Sequence, residues 1–479
     1  MSIENTDTAA RVVRNSIWLF TAETLSKFIA LAVQIIAARY LGDKGFGLFS
    51  FAFSATSILM ILADAGINTF LTREISRDPD RMNYFLGNAF FLKGLLSLLA
   101  ILLLVVFPII FSLDEQTRWV VWAIGFALLI NGYADIYISV FRAFEAMGLV
   151  SILSILQRVL FFSFGLGVLL MGYRVIPFAM AFLLAAVINL VHAWWQMRKR
   201  FGSPSWKKDW TMARKIFASS VTIGGTVFCT YIYFRIDSVM LYAMRGEAET
   251  GWYSAAFKLI ETAVVLIASI RVALFPLLSR TFVQQNEQFR KIWQEVARYL
   301  LLLGLPLAVG TALLAHRMIE VFYGEMYAAS GPALRLLALV LPLLFLNDIA
   351  SYLLVSADRA RSVLKAVAAA AVLNVILNWL WIPRWGLLGA AAATCLTEIF
   401  VFGVYYAIIK KICGSANLLS LLWRPAVSAA GMILFLVILF FLSAVPLIIL
   451  GAVVYFGLLI ALKTFNKQDR LVFRSLFNR

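Results

Sequence analysis

Long apolar stretches of about 20 residues alternate with short polar breaks along the whole chain. Coiled as a helix, a stretch of this length crosses a hydrocarbon core about 30 Å thick. The pattern therefore predicts fourteen membrane-spanning helices with short connections between them. The predicted spans cover residues 15–38, 47–72, 85–111, 118–141, 151–172, 175–196, 214–244, 251–279, 293–315, 330–356, 363–382, 386–409, 425–443 and 445–464.

The composition supports this interpretation. The chain has 479 residues, of which 62% are hydrophobic and 14% are charged, and its mean hydropathy is +0.89. Soluble domains are about half apolar and about a quarter charged, so the chain lies outside that class. The predicted fold class is an all-α polytopic membrane protein.

The charged residues predict the orientation in the membrane. Lys and Arg number 42 against 25 Asp and Glu, for a net charge of +17. With the N-terminus inside, 28 of the 42 basic residues fall in cytoplasmic segments, seven on the opposite side and seven within spans. Short cytoplasmic loops are typically rich in Lys and Arg, so both termini are predicted to be cytoplasmic. This distribution accounts for the basic excess without a nucleic-acid partner, and the first span serves as the export signal.

A short motif occurs twice. GDKGFGLFSFAF begins at Gly42 and GEAETGWYSAAF begins at Gly246, an offset of 204 residues. The copies join spans 1 and 2 and spans 7 and 8, so six spans separate them and the two halves have the same orientation. Parallel repeats of this kind predict two six-helix lobes around a central cavity, followed by two C-terminal helices. The predicted boundaries are 11–197 for the N-lobe, 198–213 for a cytoplasmic linker, 214–411 for the C-lobe and 424–465 for the accessory spans 13 and 14.

Ionisable residues inside spans are the candidate functional residues, because a charge at membrane depth is costly. Glu23, Lys27 and Gln34 lie on one face of span 1. Span 7 has a similar polar face with Arg235 and Ser238, and the repeat offset pairs Ser238 with Gln34. Two such faces predict a wet cavity between the lobes. Self-neutralisation of Glu23 and Lys27 as a pair within one helix is the alternative.

The excess of basic residues at depth predicts an anionic substrate. We weigh six basic side chains in spans 1–8 against three acids, and a positive cavity suits a phosphate or pyrophosphate. The predicted substrate-binding residues are Lys27, Arg235, Arg271, Lys93, Arg158 and Lys258. The predicted gating or coupling residues are Glu23, Asp237, Glu261 and Asp64, the last at the cytoplasmic end of span 2. Two alternatives stay open: Lys258 and Glu261 fit a local pair at i, i+3, and Lys93 and Arg158 are close enough to the cytoplasmic face to snorkel.

Sequence motifs of enzymes are missing from the chain. It has no HExxH, GxSxG or Walker motif, and its three cysteines are scattered. We therefore predict no catalytic residues, no metal site and no cofactor. A membrane glycan polymerase or ligase is the alternative of another class, although such an enzyme would need a long outer loop with catalytic groups.

Several motifs resemble those of the Wzx-type polysaccharide transporters, a family of the multidrug/oligosaccharidyl-lipid/polysaccharide exporter superfamily. They are the opening NSIWLFTAETLSKFIALAVQIIAARYLG from Asn15, the R-x-L-G-x-x-x-x-G run from Arg39 to Gly47, ADAGINTFLTREISRD from Ala63, and DSVML from Asp237. The resemblance covers the whole chain, including fourteen spans, two parallel lobes and cytoplasmic termini.

The resemblance implies a flippase of the bacterial inner membrane. Its substrate would be an undecaprenyl-pyrophosphate-linked oligosaccharide, such as an O-antigen repeat unit, moved from the cytoplasmic to the periplasmic leaflet. Partners would be the lipid-linked oligosaccharide and the bilayer, with polysaccharide polymerase and chain-length proteins as candidates. The alternatives within the superfamily are the lipid II flippases, whose arginine-rich start of span 1 is absent, and the drug/cation antiporters, which the basic interior disfavours.

Overall fold

A computed structural model of the chain describes residues 3–202, 209–264, 267, 286–414 and 418–465. Side chains are described from residue 24 onward within these ranges, except at 221–223, 286–289, 413, 418–419 and 444–445. Within these ranges the fold consists of α-helices joined by short turns. The helices are α1 (Ile3–Asp64), α2 (Ile67–Arg77), α3 (Met82–Ile110), α4 (Glu115–Ala143), α5 (Met147–Leu170), α6 (Val175–Phe201), α7 (Trp210–Arg245), α8 (Glu247–Val264), α9 (Asn286–Tyr323), α10 (Ser330–Ala338), α11 (Leu341–Ser356), α12 (Ala360–Trp385), α13 (Leu387–Cys413), α14 (Leu418–Ile438) and α15 (Ala444–Ala461).

The predicted spans coincide with these helices. In the described part of the chain, nine helices are long and apolar enough to cross a membrane, or eleven if each of two bent pairs is one span. One of the nine, Thr24–Arg77, contains most of spans 1 and 2, and span 10 is the pair α10 and α11, bent by 51°. The predicted fold class, an all-α polytopic membrane protein, is confirmed. The part of span 8 beyond 264 lies almost entirely outside the described residues.

A break interrupts span 2 near its predicted end, within the apolar segment Thr24–Arg77. The span was expected to run to residue 72, but α1 ends at Asp64 and α2 starts at Ile67. Between them Ala65 has φ 44° and Gly66 has φ 83°. Both values lie in the left-handed region, which interrupts an α-helix and which glycine tolerates best.

The two copies of the repeated motif form the same turn. Gly42 has φ 71° and ψ 178°, and Gly246 has φ 87° and ψ −169°. Each glycine breaks the helix between one span and the next, in a conformation that a residue with a Cβ rarely adopts. The motif therefore repeats because both halves need the same reversal at the same place.

The helices that follow these two turns touch each other backbone to backbone. A Cβ added at Gly47 would lie 1.8 Å from the carbonyl oxygen of Glu247, and one added at Gly251 would lie 2.2 Å from that of Asp43. The contact is reciprocal, as expected where two repeats meet about a pseudo-twofold axis. Only glycine allows this approach at either position.

Packing contacts divide the chain into two compact units. The first contains the described residues of 1–272 and 360–393, and the second contains those of 273–359 and 394–479. In the first unit α7 and α8 pack on α1, and α12 packs on α7. The lobe boundaries at 11–197 and 214–411, with the linker and the accessory spans, stay predictions from the sequence repeat.

The start of α7 is anchored on α3. Asp209 caps α7 by accepting hydrogen bonds from the backbone N–H groups of Thr211, at 2.9 Å, and Met212, at 3.4 Å. The hydroxyl of Tyr84 donates to the Asp209 carboxylate, and this hydrogen bond lowers the pKa of Asp209. The backbone N–H of Asp209 donates to Asn88 Oδ1 at 2.8 Å. These contacts hold the first turn of the helix that contains Arg235.

Candidate functional site

An open pocket of about 390 Å³ lies between α1, α7 and α8 of the first unit. Gln34 and Ser238, the residues that the repeat offset pairs, both line it. The remaining lining residues are Phe49, Ser50, Phe53, Ser54, Arg235, Ser254, Phe257, Lys258 and Glu261.

Glu261 joins two predicted basic residues at the wall of this pocket. Its Oε1 lies 3.1 Å from Arg235 Nη2, and its Oε2 lies 2.7 Å from Lys258 Nζ. The local Lys258–Glu261 pair considered from the sequence is therefore present, but Arg235 of α7 shares the same carboxylate. The three side chains are 18–30% exposed, so they line the pocket surface and are not sealed in the core.

Two further predicted cations interact electrostatically with Glu261, although neither is a lining residue of the pocket. Lys27 of α1 has an exposed side chain, and its charge attracts the Glu261 carboxylate. Arg158 of α5 is half-buried and also interacts electrostatically with Glu261. Glu261 therefore has two cations in direct contact, Arg235 and Lys258, and two more that act on it electrostatically.

The remaining walls supply neutral polar and aromatic groups. The guanidinium of Arg235 lies 5.5 Å from the centre of the Phe53 ring, a cation–π distance. The Ser254 hydroxyl is buried and has no hydrogen-bond partner among the described residues. A buried hydroxyl without a partner is costly, so an incoming acceptor at this position would be stabilised.

Lys93 and Asp64 form a second charged group. Lys93 Nζ lies 3.3 Å from Asp64 Oδ1, and its side chain is only 1% exposed. Asp64 Oδ1 also accepts from Asn68 Nδ2 at 2.5 Å. The snorkelling alternative for Lys93 is therefore wrong, because the ammonium turns inward to the carboxylate at the end of α1. Gly132 leaves room for it beside α4, since a Cβ there would lie 3.1 Å from Nζ.

Asp135 is an acid that was not counted when basic and acidic residues within the spans were compared from the sequence. It lies in α4, within span 4, and its carboxylate interacts with the charges of Lys93, Asp64 and Arg142. The signal was present in the sequence as an acid in the middle of an apolar span. Its electrostatic interaction with Lys93 could not be predicted from the sequence, because Lys93 lies on a different helix, α3.

Asp237 lies in a buried hydrogen-bond network and is not among the pocket's lining residues. It is 1% exposed, and its carboxylate accepts from Tyr253 Oη at 2.6 Å and from Asn378 Nδ2 at 2.5 Å. Asn378 also donates to Asn374 Oδ1 at 2.9 Å. The network joins α7, α8 and α12. Sequence analysis missed the two asparagines, although their i, i+4 spacing in span 11 would place them on one face.

Replacing Tyr253 with phenylalanine is expected to destabilise the protein, because the buried Asp237 carboxylate loses an O–H donor. A buried polar group without its hydrogen bond costs about 1–3 kcal/mol. Thermal melting of the purified protein should show a Tm lowered by about 2–4 °C per kcal/mol. Tyr323→Phe is the matched control, since Tyr323 is 2% exposed and its hydroxyl has no partner among the described residues. Equal Tm values for the two variants would contradict the prediction.

Two predicted site residues cannot be placed. Arg271 lies outside the described residues, and so does the side chain of Glu23. In the second unit the structure adds a buried acid that sequence analysis did not select. Glu398 is 1% exposed and accepts a hydrogen bond of 2.7 Å from Asn347 Nδ2.

The sequence matches two family models. The model described as "Polysaccharide biosynthesis protein" matches residues 12–282, and the model of the lipid II flippase MurJ matches residues 248–470. Among curated proteins, a probable low-salt glycan biosynthesis flippase, Agl15 of Haloferax volcanii, is 23% identical over 81% of this chain and 81% of its own length. A putative O-antigen transporter of Shigella flexneri is 23% identical over 81% of this chain and 95% of its own length.

The fold matches that of solved transporters. A structure of the lipid II flippase MurJ in an inward closed conformation aligns with a TM-score of 0.74 at 15% identity, covering 96% of this chain and all of the other. The polysaccharide family model spans more than half of the sequence, and the curated relatives named above are described as a flippase and a transporter. The chain therefore belongs to the polysaccharide biosynthesis protein family and is a multi-pass membrane flippase of the Wzx type, within the multidrug/oligosaccharidyl-lipid/polysaccharide exporter superfamily.

Proposed function

We propose that this flippase moves an undecaprenyl-pyrophosphate-linked oligosaccharide from the cytoplasmic to the periplasmic leaflet of a bacterial inner membrane, with both termini in the cytoplasm. The pocket around Glu261 binds the pyrophosphate. The observation that supports this proposal is that Arg235 and Lys258 contact a single carboxylate, Glu261, at an open pocket, while Lys27 and Arg158 act on the same carboxylate electrostatically.

A pyrophosphate suits this cluster by charge. Charge-assisted hydrogen bonds from Arg and Lys to phosphate oxygens are among the strongest in proteins. The guanidinium of Arg235 can meet two oxygens at once, and the ammonium of Lys258 serves as a point charge. An organic cation in the same pocket would face a net positive field, which disfavours the drug/cation antiporter.

The names of the relatives support a lipid-linked glycan as substrate. One relative is described as a glycan biosynthesis flippase and another as an O-antigen transporter. The charged residues that line the pocket, Arg235, Lys258 and Glu261, suit the charged headgroup of such a lipid. The glycan would extend beyond the pocket while the polyprenyl chain stays in the bilayer.

Alternating access would move the headgroup between the two leaflets. Lys27, Arg235 and Arg271 provide most of the pyrophosphate recognition, while Lys93, Arg158 and Lys258 assist its passage. Glu23, Asp64, Asp237 and Glu261 act in gating or coupling. Polysaccharide polymerase and chain-length proteins are the partners that would use the translocated unit.

Lipid II flipping is the second candidate. The lipid II flippase model matches 248–470, and lipid II also has a pyrophosphate that the same cluster would bind. A membrane glycan polymerase or ligase is disfavoured, because the curated relatives named above are described as a flippase and a transporter.

Mass spectrometry of lipid that co-purifies with the protein tests the substrate. We expect a polyprenyl diphosphate with a short oligosaccharide. A muramyl-peptide headgroup would identify the second candidate instead. Cells that lack the protein should accumulate complete lipid-linked units on the cytoplasmic side. Accumulation of translocated single units in the periplasm would contradict flipping and indicate a polymerase.

A further inference from the structure

We propose that Glu261 is an internal ligand of the anion pocket, which occupies the position of a substrate phosphate and is displaced when a lipid diphosphate binds. The displaced carboxylate stays beside the site and weakens binding, so that the headgroup can leave. This inference rests on the proposed pyrophosphate recognition and adds a specific role for Glu261 within it.

The geometry of Glu261 is that of a bound anion. Each of its two carboxylate oxygens contacts a different cation, Oε1 with Arg235 at 3.1 Å and Oε2 with Lys258 at 2.7 Å. A phosphate group presents oxygens with a similar separation along each of its edges. The same two donors therefore satisfy either a carboxylate or a phosphate edge, but both cannot occupy the same position.

The basic residues that act on Glu261 outnumber it, so the charge of the cluster favours an anionic substrate. Glu261 neutralises one positive charge, whereas Arg235, Lys258, Lys27 and Arg158 all act on it. A purely structural network would gain most if its charges balanced, because an uncompensated charge away from bulk water is costly. The excess of positive charge around Glu261 would be compensated when a diphosphate enters the pocket.

The ion pairs of Glu261 are also accessible to an incoming anion. Glu261 is 30% exposed, Arg235 is 19% exposed and Lys258 is 18% exposed. Asp237, by contrast, is 1% exposed and accepts hydrogen bonds from a tyrosine and an asparagine. Glu261 therefore has both the partners and the access that exchange with a substrate requires, and the partnerless Ser254 hydroxyl faces the same pocket.

A displaced Glu261 affects release because it cannot leave the site. It is tethered to α8 one turn beyond Lys258, so its negative charge remains within a few ångströms of the bound phosphates. Like charges at that distance repel one another, so the displaced carboxylate lowers the affinity for the bound phosphates. A transporter needs this kind of opposition, because a site that binds too tightly does not release its substrate.

Glu261→Gln tests the inference by removing the charge and keeping the shape. Affinity is measured by calorimetry with farnesyl pyrophosphate as the probe, on protein in phosphatidylcholine nanodiscs, which have no net charge to compete. We expect Glu261→Gln to bind about tenfold more tightly than the wild type. Glu325→Gln, which removes an exposed carboxylate far along the sequence in the second unit, is expected to leave the affinity unchanged.

Glu261→Gln alone removes the carboxylate that the neighbouring cations share, which can prevent folding. A second comparison therefore keeps the proposal testable. Lys258→Gln combined with Glu261→Gln keeps the net charge of the pocket, and its reference is Lys258→Gln alone. The double variant is expected to bind the probe more tightly than that reference.

The outcomes separate the two proposals. Equal or weaker binding after removal of Glu261, in whichever comparison folds, overturns the role of Glu261 while pyrophosphate recognition stands. Absence of saturable binding to the wild type and to the variants overturns both.

Discussion

Arg235→Ala is expected to reduce export of the lipid-linked glycan by at least about tenfold at normal protein levels. The change removes the guanidinium that contacts Glu261 across the pocket and that supplies paired donors to a pyrophosphate. A hydrogen bond to a charged group contributes about 1.5–3 kcal/mol, which corresponds to a tenfold to hundredfold change in binding. Flipping of a fluorescent lipid diphosphate in proteoliposomes measures the effect directly.

Variants of the other predicted residues extend this test. Lys27→Ala and Arg271→Ala are expected to reduce export, and Lys27→Arg should retain more activity than Lys27→Ala because it keeps the charge. Arg384→Ala is the control, since Arg384 is exposed in the last turn of α12. Wild-type export by Lys27→Ala, Arg235→Ala and Arg271→Ala would show that these charges are structural pairs.

Alanine at Gly47 is expected to disrupt the contact between the two repeated turns. Its Cβ would lie 1.8 Å from the carbonyl oxygen of Glu247, so backbone must move. Overpacking of this kind costs about 1–3 kcal/mol, which lowers the Tm by about 2–4 °C per kcal/mol. Gly251→Ala should have a similar effect, because its Cβ would meet the carbonyl of Asp43 at 2.2 Å.

Gly94→Ala in α3 is the matched control for both glycines. No atom lies within 4 Å of its added Cβ, and alanine favours a helix by about 1 kcal/mol over glycine. We expect an unchanged or slightly higher Tm, measured by thermal melting of the purified protein. A Tm for Gly47→Ala equal to that of Gly94→Ala would show that the two turns do not need their close approach.

The spans were predictable because their signal is local. Twenty apolar residues in sequence must satisfy their own backbone hydrogen bonds in lipid, and only a helix does so within one segment. The break near the end of span 2 was not predictable in the same way, because the hydropathy pattern of residues 64–68 is compatible with a continuous helix. Its break depends on the positive φ values of Ala65 and Gly66, and neither hydropathy nor spacing specifies them.

The residues of the candidate site were predictable from the sequence, but most of the contacts between them were not. Lys27, Arg158, Arg235 and Lys258 were selected from the cost of charge at membrane depth. The i, i+3 spacing indicated the pair of Lys258 and Glu261, but nothing local indicated that the other three cations would also act on Glu261. The pairing of Lys93 with Asp64 could not be predicted from spacing, since 29 residues separate them. The interaction of Asp135 with Lys93 joins two different helices, although Asp135 itself was visible in the sequence as an acid within a span.

The sequence by itself determined the class of protein, the approximate position of most of its apolar spans and the repeated glycine turn. Each of these follows from composition or from spacing within a single helix, where the chain's own geometry sets which residues are neighbours. Only the tertiary structure decided which carboxylates contact more than one cation, which charged side chains are buried and which are accessible. Asp237 and Glu261 look alike in the sequence, as acids inside apolar spans. Packing buries Asp237 against Tyr253 and Asn378 and places Glu261 between two cations at an open pocket, because burial depends on contacts between segments distant in sequence.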